Sequence, residues 1–326
     1  MATTLWDTTG SDVVKALLAE RRAAGALASG LALTLVAVVD EKRVQEAEQA
    51  ATVAAAAHPC RLVMVVRHSI TADNRLDAEV QIGGRLGSTE AVVMRMYGRL
   101  GLHAESVVLP LLAPDAPVVT WWHGSPPEEI ATDALGVLAN RRVTDSAQAP
   151  EPVSSLRQRA ADFVIGDTDL AWTRCTPWRS LLASVLDGVE GTPTAAAVAA
   201  ESGNASASLL SGWLTSRLGV TAELDESGGP GITAARITLR RDDGSDYVVS
   251  VERPDGISAA LHRGDEESRV LPLPRRELGD LLAEELRRMD PDAVYADALS
   301  TATGVTVDRN PRSRVLVWRD PALSAQ

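Results

Sequence analysis

The chain has 326 residues, 45% of them hydrophobic and 23% charged, with a formal net charge of −12. At roughly 150 residues per domain this length suits about two globular domains. No basic stripe interrupts the acidity, which argues against nucleic acid or an anionic membrane surface as a partner. Ser11 can cap a helix over residues 11–25, in which Val13, Val14, Leu17 and Leu18 recur at helical spacing. The apolar run at 31–40 predicts a strand covered on both faces. An alanine-rich helix at 41–57, stopped by His58-Pro59, leads to a second buried strand at 61–66. This strand–helix–strand unit predicts a parallel pair with a right-handed crossover.

Residues 76–83 and 90–98 flank a glycine-rich turn and predict a hairpin added to that sheet. An amphipathic segment at 102–112 precedes a strand ending in Trp121, Trp122, His123 and Gly124. A helix at 126–139, a short strand at 141–146 and helices at 152–164 and 168–187 follow. The composition changes at 187–194, which divides the chain into a Rossmann-like α/β domain (1–190) and a smaller α+β domain (191–326). The second opens with a small strand at 194–200 and a helix ending at 219. Alternating segments at 234–241, 246–253 and 257–263 predict an antiparallel meander, and a helix at 275–289 is expected to cover it. The last dozen residues look frayed. The first domain is thus expected to hold a mixed sheet with helices on both faces.

Cys60 and Cys175 are the two cysteines, too few for a disulfide framework and suited to a reducing compartment. The N-terminus has neither a basic nor an apolar signal region, and the longest apolar run is too short to span a bilayer. A cytoplasmic protein with no membrane contact is expected.

The turn after the first strand, at 38–44, has no glycine and places Asp40 and Glu41 where a dinucleotide pyrophosphate would need open backbone amides. Gly83, Gly84 and Gly87 lie between two strands and fit a hairpin better than a phosphate loop. The five histidines never take the spacing of a helical zinc site, and no G-x-S-x-G elbow occurs. Asp167 and Asp169 precede a helix, where capping is the ordinary use of an acid. No catalytic, cofactor-binding or metal-binding residues are expected.

Only 3% of the residues are aromatic, so aromatic placement is informative. Trp121, Trp122 and His123 end a strand at the edge where open α/β sheets bind ligands. With Arg61 they define a possible ligand crevice, where Arg61, Arg85 or Arg174 could meet the anion of a sugar phosphate or nucleotide. Filling a core otherwise poor in aromatics is the alternative, and one of the two adjacent tryptophans should be buried in any case. Trp172, Arg174, Trp178 and Arg179 combine the residue types enriched at interface hot spots. They are read as partner-binding, with a share of the surface for both tryptophans. Pro177 should bend or restart the helix that carries them.

The segments at 58–66, 107–124, 167–187 and 212–219, in this order and at these distances, resemble the OpcA family of actinobacteria and cyanobacteria, most closely its actinobacterial members. The resemblance implies a non-catalytic assembly protein that binds glucose-6-phosphate dehydrogenase, promotes its oligomerisation and raises its activity in the oxidative pentose phosphate pathway. It implies no cofactor. Redox control in cyanobacterial members involves cysteines, but Cys60 and Cys175 alone do not carry that role over. The competing expectations are the sugar-phosphate or nucleotide binding module and, third, an unrecognised enzyme.

Overall fold

In the computed structural model, which describes residues 2–25, 31–83, 90–264, 266–310 and 315–316, the first apolar run forms β2 (Leu33–Val39). Leu33, Leu35, Ala37 and Val39 face one hydrophobic core and Val36 faces another, the alternation of a strand covered on both sides. Alanine-rich α2 (Val44–Ala57) covers the first face. The second is covered by α1 (Gly10–Ala23), capped by Thr9 rather than Ser11, and by α3 (Ala104–Val108).

β1 (Ala2–Leu5), β3 (Cys60–Arg67), β4 (Arg75–Ile82), β5 (Glu90–Tyr97), β6 (Val118–His123), β7 (Arg141–Thr144) and β8 (Asp167–Asp169) complete an eight-stranded sheet. Its order is β1-β4-β5-β3-β2-β6-β7-β8. The six strands from β5 to β8 in that order run parallel, while β4 opposes β5 and β1 opposes β4. This is the mixed Rossmann-like sheet expected from the sequence. β2 pairs with β3 on one side and β6 on the other, so the strand order reverses beside the carboxyl end of β2. Gly84, Arg85 and Gly87, between β4 and β5, lie outside the described residues, as does most of the last dozen.

Beyond β7 come α4 (Pro152–Ala161), α5 (Leu170–Thr173) and α6 (Thr176–Leu186). A second sheet follows from β9 (Thr192–Ala200), β10 (Ala222–Glu226), β11 (Ile232–Arg240), β12 (Asp246–Glu252), β13 (Ser258–Arg263) and β14 (Arg269–Pro272). Its order is β10-β9-β11-β12-β13-β14, antiparallel except for β9 and β10. Val198, Ile237, Val249, Val251 and Leu261 turn one face toward α6, α7 (Ala205–Leu218) and α9 (Ala293–Thr303), in a core that also takes in Leu156 of α4. No described helix is long and apolar enough to cross a membrane.

Three segments differ from the sequence expectation. Residues 126–139 form turns, not a helix: the Asp133 carboxylate accepts from the Leu135 amide, a local bond that competes with helix, and Gly136 packs onto the Ile130 carbonyl where a Cβ would not fit. The first two residues of the helix expected at 168–187 instead belong to β8, which pairs with β7. The helix near the end, α8 (Leu278–Arg287), packs on α2 instead of the meander, placing Leu281, Leu282 and Leu286 against Ala47, Ala50 and Ala54. Small residues allow this close approach, and a Cβ on Gly279 would stand 2.6 Å from Val53. Glu285 of α8 is buried against Arg141 and Thr173.

Candidate functional site

The carboxyl ends of β2 and β6 are filled by the protein itself. Trp121 and Trp122 are both buried, although adjacent on a strand, because helices or turns cover both faces. Neither indole N–H has an acceptor among the described residues. His123 is buried beside Trp121 with its Nε2 2.9 Å from Glu46 Oε2. In the turn before α2, Glu41 engages Arg95 and His68, so carboxylates crowd the place where a phosphate would otherwise approach. Arg61 does not join this group. In the sheet register it shares a row with Thr34 and Val118, whereas His123 shares one with Val39 at the opposite end. Arg61 donates to Glu90 at 2.7 Å and to the Leu111 carbonyl at 2.7 Å, and is buried there.

In the 167–187 segment the two acids have structural work. Asp169 caps α5 through the Ala171 amide and accepts bonds from Thr144 and Ser146, joining β8 to the end of β7. Asp167 pairs with buried Arg142. Pro177 restarts the helix as α6. Trp172 and Trp178, which the sequence reading gave a share of the surface, are instead buried in the core of the second sheet. The Trp172 indole donates to Asp292 at 2.8 Å, and the Arg179 guanidinium lies 3.7 Å above its ring. This stack joins α5, α6 and the cap of α9. Arg174 makes a bidentate bond to Asp145 at 2.6 and 2.8 Å, and burial pushes the Asp145 carboxyl up. Arg174 and Arg179 retain partial exposure.

Both cysteines are buried thiols, Cys60 at the start of β3 and Cys175 between α5 and α6. Burial pushes each up to about 12, which leaves little thiolate for redox chemistry. Among the described residues no group of three or more His, Cys, Asp or Glu side chains could hold a metal ion.

The open space lies elsewhere. A cavity of about 560 Å³ is bounded by residues 147–148, 150–152, 201–206, 230–232 and 274–276, with Arg174, Trp178 and Arg253 in its wall. Four arginines line it, unusual for a chain of net charge −12. Arg174 and Arg276 are matched by Asp145 and Glu284. Arg253 and Arg275 pair with no carboxylate among the described residues: they donate to the carbonyls of Ile232 and Pro230 at 2.6 and 2.7 Å, and the Arg253 guanidinium lies 5.3 Å from the centre of the Trp178 ring. Sequence reasoning found Arg174 and Trp178 of this wall and missed the rest. The contributing segments are far apart in the chain, and the one local signal was Asn204 before α7, a helix-start residue.

Residues 51–161 match the family model of the glucose-6-phosphate dehydrogenase subunit N-terminal domain, OpcA type, and residues 165–299 match that of the C-terminal domain. No curated protein matches the chain. Among solved structures, an oxidoreductase from Sinorhizobium meliloti is 10% identical at a TM-score of 0.40, over 84% of this chain and 95% of that one. An NAD-binding oxidoreductase from Klebsiella pneumoniae is 8% identical at a TM-score of 0.35, over 86% and 91%. Neither likeness bears on the activity of this chain.

Proposed function

The chain belongs to the OpcA family of glucose-6-phosphate dehydrogenase assembly subunits, and from that premise we propose that it binds glucose-6-phosphate dehydrogenase in the cytoplasm and promotes its oligomeric assembly and activity. The carrying observation is the pair of family matches, which together run from residue 51 to residue 299. In this reading the chain performs no turnover of its own. It acts by binding the more active state of the dehydrogenase better than the less active one, since a ligand with equal affinity for both shifts nothing. Trp172 and Trp178 serve by holding α5 and α6 in place. Arg174 and Arg179, the partly exposed members of that group, are the contact residues toward carboxylates of the partner.

Steady-state kinetics test the proposal. The chain alone should oxidise no glucose 6-phosphate with either nicotinamide cofactor, and saturating chain should raise kcat or lower the apparent KM of the cognate dehydrogenase. Unchanged kinetics across a saturating titration would overturn the activating role.

A further inference from the structure

The wall of the 560 Å³ cavity combines three features that point to an anion. First, Arg253 is only 8% exposed and meets no carboxylate among the described residues; its Nη2 donates to the Ile232 carbonyl and its guanidinium lies over the Trp178 ring, neither of which supplies a full negative charge. A buried, unneutralised guanidinium is costly unless a counter-charge is supplied. Second, burial, and after it the like charge of Arg275 close by, push the Arg253 guanidinium down from its usual range. Third, the cavity includes the start of α7, a helix of 14 residues capped by Asn204. Asn204 takes the Ala207 amide, and the first-turn amides of Ala205 and Ser206 have no acceptor among the described residues. Free first-turn amides and the helix dipole favour a negative group there.

Two carboxylates also line the space. Glu201 bonds the Asn204 side chain, and Glu151 is exposed, so neither neutralises Arg253 or Arg275. The volume lies within the roughly 300–1,000 Å³ of small-molecule sites and far exceeds one phosphate group. Ile232 and Trp178 supply apolar wall for the rest of a ligand.

We propose that this cavity binds a small phosphorylated organic metabolite, its phosphate between Arg253, Arg275 and the amides of Ala205 and Ser206, its organic part against Ile232 and Trp178. A phosphate monoester carries close to two negative charges near neutral pH, matching the two unpaired arginines. The site is separate from the carboxyl ends of β2 and β6, and it stands whether or not the chain engages the dehydrogenase.

The test is calorimetric titration of the full-length chain alone with a hexose monophosphate, the unphosphorylated hexose and inorganic phosphate. The hexose monophosphate should bind, inorganic phosphate should bind more weakly and the free hexose should not bind. Arg275→Ala, at an exposed position, should weaken hexose monophosphate binding about tenfold or more, the effect of losing a charge-assisted hydrogen bond. Arg253→Gln should abolish it while the far-ultraviolet circular dichroism stays that of the parent. If Arg253→Gln fails to fold, Arg275→Ala decides. Absence of binding by either phosphate compound, binding of inorganic phosphate alone, or binding unchanged in Arg275→Ala would overturn the site. Because the dehydrogenase is absent from this experiment, its failure leaves the assembly reading standing.

Discussion

His123, at the carboxyl end of β6, is wholly buried and bonded to Glu46, whereas Arg253, just past β12, is nearly as buried and meets no carboxylate among the described residues. The first position lies at a topological switch point, where open α/β sheets ordinarily bind ligands. Here Trp121, Trp122 and His123 fill that place, with Glu41 before α2 and Glu46 in its first turn. The second position lies beside an antiparallel sheet with no such reputation, yet it borders open space and carries unmatched charge. Fold position alone therefore does not mark where open space and unmatched charge coincide in this protein. What separates the two regions is whether their ionisable side chains meet an opposite partner: His123 meets Glu46 and Arg95 meets Glu41, whereas Arg253 meets no carboxylate among the described residues.

The largest expected effect is at a side chain already engaged within the protein, in the core of the second sheet. Trp172→Ala removes a buried ring, its bond to Asp292 and the platform under Arg179. It should cost about 3–5 kcal/mol in urea-induced unfolding. A loss below about 1 kcal/mol would return Trp172 to the surface role that the sequence suggested.

Arg174→Ala comes next. It strands the Asp145 carboxylate in a buried position, so a destabilisation of about 2 kcal/mol is expected. Adding Asp145→Asn should recover more than half of it, and the double-mutant cycle reads the coupling directly. If the single variant is as stable as the parent while its affinity for the dehydrogenase falls, Arg174 acts at the interface alone and not in the scaffold.

The smallest effect belongs to Arg253. Arg253→Met removes an unpaired charge and keeps an apolar stem, so stability should change by no more than about 1 kcal/mol in either direction. A loss above about 2 kcal/mol would mean that Arg253 is held for the fold, like Trp172, and the contrast between the two regions would collapse.

The sequence made the sheet that everything rests on readable, and for a physical reason. Runs such as residues 35–39 and 62–66 are short and apolar on both faces, the pattern of a doubly covered strand. Asp133 and Gly136 show where such reading ends. An amphipathic pattern at 126–139 was outweighed by one carboxylate–amide bond and one close backbone contact. The address of α8 was illegible for another reason: its leucine stripe says that a face is buried, but not that the alanines of α2 bury it. The tryptophans were rightly singled out as unusual, yet residue type alone could not distinguish a hot spot from a core, where Trp172 packs with Tyr295 and Phe163. The unmatched arginines were invisible because Arg253, Arg275 and the start of α7 meet only in three dimensions.

The central claim, that this chain assembles with glucose-6-phosphate dehydrogenase, is tested most directly by sedimentation velocity of the cognate dehydrogenase with increasing amounts of the chain. The account predicts that the dehydrogenase boundary moves to a larger species containing both proteins and saturates at a fixed ratio, in step with the rise in activity. Two boundaries that sediment independently at every ratio, with activity unchanged, would contradict it.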